Sequence, residues 1–282
     1  MTPLAALLLV AVLFAAERML PLRKTKAALL ARLFVNALMS LATFAVAATV
    51  VRPAALATVQ WGSEKPFGLI HMVALPAPVQ FILAFLLLDL AFYYWHVLNH
   101  RVGFLWRFHN VHHFDPDLDV STGFRFHFGE VLFSTVFRVV QVALIGVTPL
   151  MFAAYEAVFQ AGTLFHHSNV RLPIRLERLL NLVFVTPRMH GIHHSHVQRE
   201  TDSNYSVVFS FWDRLHGTIG LNVPQSQLTI GVPGYSRGGD NSLGNVLASP
   251  FREQRDYWRL PDGSLAQRDQ TSIEPNRHHL AE

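Results

Sequence analysis

Eight histidines fall into three groups whose spacing suits metal ligation. His96 and His100 form an HxxxH; His109, His112 and His113 form an HxxHH; His190, His193 and His194 repeat the HxxHH spacing far away in the chain. On a helix, residues three and four apart share one face, and four residues rise ~6 Å along the axis, so the imidazoles of each group point the same way. Apolar helices carry chance histidine pairs, which makes a lone HxxxH a weak signal. Three groups together are not chance, because clustered imidazoles without a metal would each need another polar partner near an apolar boundary. His166 and His167, in FHHSNV, follow an apolar stretch, and at least one of them is expected to join the set. Imidazole suits zinc, copper, iron and nickel, and boxes without carboxylates exclude magnesium and calcium. HExxH is absent, so the zinc-protease arrangement does not apply. Eight or more nitrogens exceed what one tetrahedral or octahedral ion can use, so two neighbouring metals are expected.

The elements that carry these histidines are read from composition. The chain has 282 residues, 51% hydrophobic and only 15% charged, with a mean hydropathy of +0.28. A soluble domain usually has ~25% charged residues. There is no cysteine, which removes disulfides, iron–sulfur clusters, zinc ribbons and thiol nucleophiles. The charge balance is 23 basic against 19 acidic residues, with no basic stripe interleaved with aromatics, so nucleic acid is excluded as a partner. The first apolar stretch is followed, not preceded, by Arg18, Arg23, Lys24 and Lys26, which fits an uncleaved first span with a cytosolic basic loop better than a secretory signal. Further apolar stretches run from Ala27 to Val51, Val79 to Trp95, Phe128 to Val147 and Leu150 to Phe165, the last two meeting as a hairpin at Thr148-Pro149. A crossing helix needs about 20 apolar residues, so three to five spans are expected; a soluble protein with buried helices is the lesser reading. Arg52 to Pro78 reads as a loop on the far face.

Counting alternately from the first loop places His96–His127 and everything after Phe165 on the cytosolic side, together with Arg101, Arg107, Arg171, Arg175 and Arg178. The expectation is an all-α, multi-pass membrane protein with a histidine-rich cytosolic cap that holds two metals. Its parts would be 1–78 (membrane spans and far-side loop), 79–220 (catalytic domain with the histidine boxes) and 221–282 (polar, partly irregular cytosolic tail). A nitrogen-rich dinuclear site beside a bilayer points to iron that activates dioxygen for attack on an unactivated C–H bond of a lipid-soluble substrate.

Two other residues are candidates for a supporting role. Asp89 lies on the same helical stripe as His96, and a carboxylate inside a span is costly unless paired. It is expected either to accept the spare N–H of a ligand histidine or to bond a neighbouring helix. His127, in RFHFGE, would contact substrate, orient a ligand or bond Glu130. His196 and His216 read as core or surface residues, and His71, His278 and His279 as incidental.

The boxes resemble those of the fatty acid hydroxylase/sterol desaturase superfamily of integral-membrane di-iron enzymes. The matching stretches are DLAFYYWHVLNH at Asp89–His100, LWRFHNVHHFDPDLDVSTGFRFH at Leu105–His127, FHHSNVRLP at Phe165–Pro173, TPRMHGIHHS at Thr186–Ser195, DSNYS at Asp202–Ser206 and WDRLHGT at Trp212–Thr218. The resemblance implies a mainly helical membrane protein whose ligands are His96, His100, His109, His112, His113, His190, His193 and His194, with a ninth at His166 or His167. Some members carry a separate HxxxH in that segment, which would need histidine where this chain has Gly162 or Thr163; His216 stands where phenylalanine is usual. The implied reaction is O2-dependent hydroxylation or desaturation of a lipid such as a fatty acyl chain or sterol, with two iron ions as cofactor. Trp212 and Asp213 would be structural. No GxGxxG and no haem-attachment motif is present, so electrons would come from a separate ferredoxin or cytochrome with its reductase. The location would be the inner membrane if the chain is bacterial.

Two readings compete. A histidine-lined metal transporter would place its transit sites near the bilayer midplane on broken helices, whereas these histidines lie at span ends. A bis-histidine haem protein would pair single histidines on separate spans and has no use for HxxHH.

Overall fold

The computed structural model describes residues 2–65, 67–268 and 278–281. Pro66 in the expected far-side loop, and 269–277 and Glu282 in the tail, lie outside the described residues. Helix α1 (Pro3–Met19) starts where Thr2 accepts a hydrogen bond from the Ala5 amide at 3.2 Å and proline occupies the first turn. Helix α2 (Leu29–Val46) passes through one π-helical turn at Ala47–Val51 into α3 (Arg52–Glu64). This corrects the expected loop from Arg52. Pro53 directly follows the π turn, where the regular backbone ladder is already interrupted, so its missing N–H is tolerated there, and Ala54, Ala55 and Ala57 are strong helix formers. The irregular chain is confined to the stretch beyond Glu64, up to α4 (Ala77–Arg101).

Helix α5 (Gly103–His113) follows α4 after a single extended residue, Val102. Helices α6 (Phe128–Ile145) and α7 (Pro149–His167) form the expected hairpin, with Gly146 in the left-handed region closing α6 and Thr148 capping α7. Gly68 approaches this hairpin so closely that an added Cβ would lie 2.5 Å from the Gly146 Cα, and the His71 ring bonds the Gly146 carbonyl at 3.1 Å. His71 is thus a tie between the far-side loop and the α6–α7 turn. Short helices follow: α8 (Ile174–Leu180), α9 (Pro187–His193), α10 (Gln198–Thr201), α11 (Phe211–His216) and α12 (Leu243–Ala248). Among the described residues there are isolated β-bridges but no strand.

Among the described residues, three helical stretches are long and apolar enough to cross a membrane: Leu29–His71, Ala77–Arg101 and Phe128–Ile145. Helix α6 shows the inverted pattern of a membrane helix. Leu132, Val136, Val140 and Leu144 point outward at four-residue spacing, while Glu130, Arg138 and Gln141 are buried. At the far ends of the bundle, Ala55 and Val59 of α3, Leu88 of α4, Val142 and Ile145 of α6 and Phe152 and Tyr155 of α7 make one apolar core. A second core joins α2 and α5 to the tail, through Val35, Met39, Trp106, Val111, Val232, Tyr235 and Val246. The segment after Gly231 is partly irregular, as its composition predicts, but it packs back on the helices instead of standing free.

A polar clasp fastens the first two helices to the loop after α5. Asp115 accepts from Arg32 at 3.0 Å, Asn36 at 2.9 Å and the Thr122 hydroxyl at 2.9 Å. Asp117 accepts from the Lys26 and Ala27 amides. Asp119 pairs with Arg32 and with Arg18. Burial pushes the Asp115 carboxyl up, but Arg32 and Arg125 beside it outweigh this and hold it below the usual carboxylate range.

Candidate metal centre

The α4–α5 turn brings HxxxH and the first HxxHH together, and Thr186 with Pro187 starts α9 so that HGIHH faces them. Nine histidines assemble into two groups: His96, His100, His109, His113 and His193 in one, and His112, His167, His190 and His194 in the other, with one ring nitrogen of each within 4.8 Å of its group's others. Each HxxHH box serves both. His109 and His113, four apart on α5, enter the first group and His112 the second; His190 and His194 enter the second and His193 the first. The groups touch where the His113 and His194 rings stack at 4.3 Å.

In the second group the Nε2 atoms of His112 and His167 lie 3.0 Å apart, those of His167 and His190 3.0 Å, and those of His190 and His194 3.2 Å. A metal–nitrogen bond of about 2.1 Å places neighbouring ligand nitrogens ~3.0–3.4 Å apart, so this is ligand spacing. Four Nε2 atoms converging on one point cannot all be satisfied by bonding one another. In the first group, the Nε2 atoms of His100 and His193 are buried without a hydrogen-bond partner. Such orphaned lone pairs are what a metal ion satisfies, and both donor sets fit one.

For His96, His109, His112, His167 and His193 the opposite ring nitrogen is held by the protein, which fixes tautomer and aim, whereas the Nδ1 atoms of His190 and His194 are buried without a partner. The Nδ1 atom of His193 meets the Ser203 carbonyl at 2.7 Å and that of His96 the Tyr205 carbonyl at 2.7 Å. Between those two carbonyls Asn204 takes a left-handed backbone, with φ of 55°, and its side chain bonds the Met189 and Gly220 carbonyls and the Gly220 amide. Asp213 accepts from the Tyr205 and Ser206 amides and from Thr218. The DSNYS and WDRLHGT stretches are therefore an orienting loop and its support. His112 Nδ1 meets the Arg125 carbonyl at 3.2 Å, His167 Nδ1 the Thr163 carbonyl at 2.8 Å, and His109 Nδ1 the Glu130 carboxylate at 2.9 Å.

His109, His112, His113, His190, His193 and His194 are each at most 3% exposed. Burial, then neighbouring histidines, drives the protonated forms of His112, His113, His190 and His194 well below their usual range. Burial also lowers His193, to about 3, although the Ser203 carbonyl opposes it. Neutral imidazole is the form that binds metal.

Three expectations are corrected or sharpened. Asp89 bonds no histidine; its oxygens take the Tyr155 hydroxyl, the Phe209 amide and the Trp212 indole, so it ties α4 to α7 and α11. His127 caps α6, accepting from the Gly129 amide at 3.0 Å and bonding the Leu247 carbonyl, and it is Glu130 that reaches a clustered histidine. Of the adjacent pair, His167 lies in the second group and His166 lies outside both. His166 lines a mostly apolar cavity of about 280 Å³ between α2, α4, α6 and α7, whose wall also includes His96, His112, Phe92, Phe126 and Phe159. His216 stacks on Tyr93 at the surface. Missing from the sequence reading were Glu130 as a histidine partner and the polar row Glu130, Ser134 and Arg138 along α6, visible as polar interruptions four residues apart in an apolar stretch.

The fatty acid hydroxylase family model matches residues 81–218. An ornithine lipid hydroxylase of Rhizobium tropici is 34% identical over 62% of this chain and 51% of its own length. An alkylglycerol monooxygenase of Xenopus tropicalis is 29% identical over 57% of this chain and 34% of its own. A human cholesterol 25-hydroxylase is 29% identical over 48% of each. The chain thus spans at most about half the length of these curated relatives. No solved structure matches it.

Proposed function

Because residues 81–218 belong to the fatty acid hydroxylase family, we propose that this integral membrane protein is an oxygenase that hydroxylates an unactivated C–H bond of a lipid. The single observation that carries this reading is the paired histidine clusters at the end of an apolar cavity. His96, His100, His109, His113 and His193 would hold one iron, and His112, His167, His190 and His194 the other. When bound, two irons supply the dioxygen chemistry and the electron transfer that protein side chains lack. The balance is one C–H bond, O2, two electrons and two protons giving an alcohol and one water. Electrons come from a separate donor, such as a ferredoxin or cytochrome with its reductase, docking on the cytosolic side where Arg101 and Arg107 are exposed.

The chain's own contribution is placement. Phe92, Phe126 and Phe159 give the cavity wall an apolar surface that seats a hydrocarbon and excludes water. The Ser203, Tyr205 and Arg125 carbonyls and Glu130 hold the rings in register. The relatives are named hydroxylases and monooxygenases, which favours hydroxylation over desaturation, and lipids of the ornithine-lipid, alkylglycerol and sterol kinds are the substrate classes they suggest. A metal transporter is disfavoured because the histidines sit in the last turns of α4 and α7 and beyond, not midway along a helix.

Purified full-length protein is expected to carry about two irons per chain with no haem spectrum, and cells holding it to accumulate a hydroxylated lipid absent from cells without it. Stable zinc in place of iron, or identical lipid profiles, would overturn the assignment.

A further inference from the structure

The histidine cluster occupies one end of the cavity, and a partly buried ion pair stands in its wall well along the bundle. Arg138 of α6 pairs with Glu156 of α7, and both line the same cavity as His112 and His167. Arg138 is buried; its guanidinium also bonds Gln141 at 2.9 Å and lies over the Phe92 and Phe152 rings. Charged groups at this depth in an apolar bundle are costly and mark function more often than stability.

The pair is not isolated. On α7, Glu156, Gln160, Thr163 and His167 recur at spacings of four, three and four residues, so they share one helical face. On α6, Glu130, Ser134 and Arg138 do the same. Both polar rows run along the cavity wall from the histidines to the ion pair. The Gln160 amide has no hydrogen-bond partner among the described residues. Nearer the metals, Glu130 Oε2 and Thr163 Oγ1 are buried with no partner. The apolar chamber therefore offers open hydrogen-bonding positions at both ends.

We infer that Arg138, Glu156 and Gln160 form a recognition site for an uncharged, hydrogen-bonding group, a hydroxyl or its equivalent, on an otherwise apolar substrate chain. Charge decides the class. Arg138 is already neutralised, and an incoming carboxylate would compete with Glu156 for it and leave that partly buried carboxylate without its partner in the cavity wall. A hydroxyl both accepts from the arginine or amide and donates to the carboxylate without displacing either. Helical rise then measures the substrate: Arg138 is eight residues from Glu130, ~12 Å, which an extended chain of roughly ten methylenes spans. The site thus selects a lipid whose polar group lies about that far from the carbon to be oxidised.

Calling the occupant a substrate rests on the oxygenase reading, so the test reads binding without turnover. Dodecane, 1-dodecanol and dodecanoate are offered to the purified full chain, and bound adducts are counted by native mass spectrometry. 1-Dodecanol is expected to bind about tenfold more tightly than dodecane, and dodecanoate no better than dodecane. In the double variant Arg138→Leu, Glu156→Leu, the alcohol and the alkane should bind within about twofold of each other. Gln160→Leu, which leaves the ion pair in place, should reduce the alcohol's advantage about threefold and keeps the inference testable if the double variant fails to fold. Equal binding of alcohol and alkane by the unaltered chain, or a preference untouched by either change, overturns the inference; tightest binding by dodecanoate overturns its choice of an uncharged group. A chain that shows the alcohol preference yet makes no hydroxylated lipid refutes the oxygenase reading alone.

Discussion

Two buried polar clusters lie side by side in this protein, and they differ in whether they complete themselves. In the clasp, Arg32, Asn36, Arg125, Asp115, Asp117 and Asp119 pair carboxylates with guanidinium groups, amides and backbone N–H. All six oxygens of its three carboxylates have donors or cations beside them. The histidine cluster is different: carbonyls and Glu130 hold the outward ring nitrogens of five of its members, while the inward ones face each other or face nothing. The first network satisfies every carboxylate oxygen, with Arg125 Nη2 the one buried side-chain atom of these six residues left without a partner, and is structural. The second turns several open nitrogens toward shared points, which is the form of a binding site. Convergence of open acceptors, not burial or residue count, separates the two.

Removing a charge from the closed network should have the largest effect. Asp115→Ala strands Arg32 and Arg125 and is expected to cost about 3–5 kcal/mol of stability, read as a lower melting point in detergent, while the surviving folded fraction binds its metal complement. Loss of metal without loss of stability would place Asp115 on the wrong side of the comparison. Next in size are His112→Ala and His193→Ala, one from each proposed ligand set. Each is expected to lower bound metal and reduce product formation by about 100-fold or more, since even the groups behind ligands are worth 10–100-fold, with little change in folding. Either variant retaining all its iron and full product formation would sink the two-metal assignment.

A smaller effect is expected at the orienting loop. Asn204→Ala removes both the left-handed backbone preference and the side-chain bonds that aim the Ser203 and Tyr205 carbonyls, and should weaken metal binding roughly tenfold; Asn204→Gly, which tolerates positive φ, should lose less. The smallest effect separates the clusters by acidity in metal-free protein. His193 has an unfolded pKa of 6.5 and a folded one of about 3, so below pH 6.5 the unfolded chain takes up protons that the folded chain refuses. Stability should therefore fall progressively as pH drops from 6.5 towards 3. Asp115, held below its ordinary 3.8, keeps its contribution until the pH falls under that value. Melting points that stay level across pH 7.5, 5.5 and 4.5 and decline only in a further measurement at pH 3.5 would show that the histidines are not buried in neutral form.

How far the sequence carried this picture depended on spacing. The helices α4, α6 and α7 and the convergence of the boxes were legible because periodicity and apolar length are local properties. The division of each HxxHH box between two groups was not, since it depends on where α4 and α7 stand. Asp89 was read from its place on the His96 stripe, but tertiary neighbours, Tyr155 and Trp212, decided its role. The ligand-orienting role considered for His127 falls to Glu130, because His127 caps the start of α6 and Glu130, three residues on, reaches His109. The loop expected from Arg52 to Pro78 rests on Trp61 and on prolines that all lie at or beyond position 66, and these end the helix only past Glu64.

The π-helical turn at Ala47–Val51 has a mechanical meaning. Residues 29–64 form a rod of about 54 Å at 1.5 Å per residue, whereas the hydrocarbon core is about 30 Å thick. Such a rod exceeds the core, so it tilts, bends or carries one end beyond the hydrocarbon. The π turn, whose backbone ladder is already interrupted, is its softest point. Val51 in that turn and Phe44 one turn before it also line the cavity. Any change in the tilt or bend of the rod at this turn would therefore move part of the cavity wall.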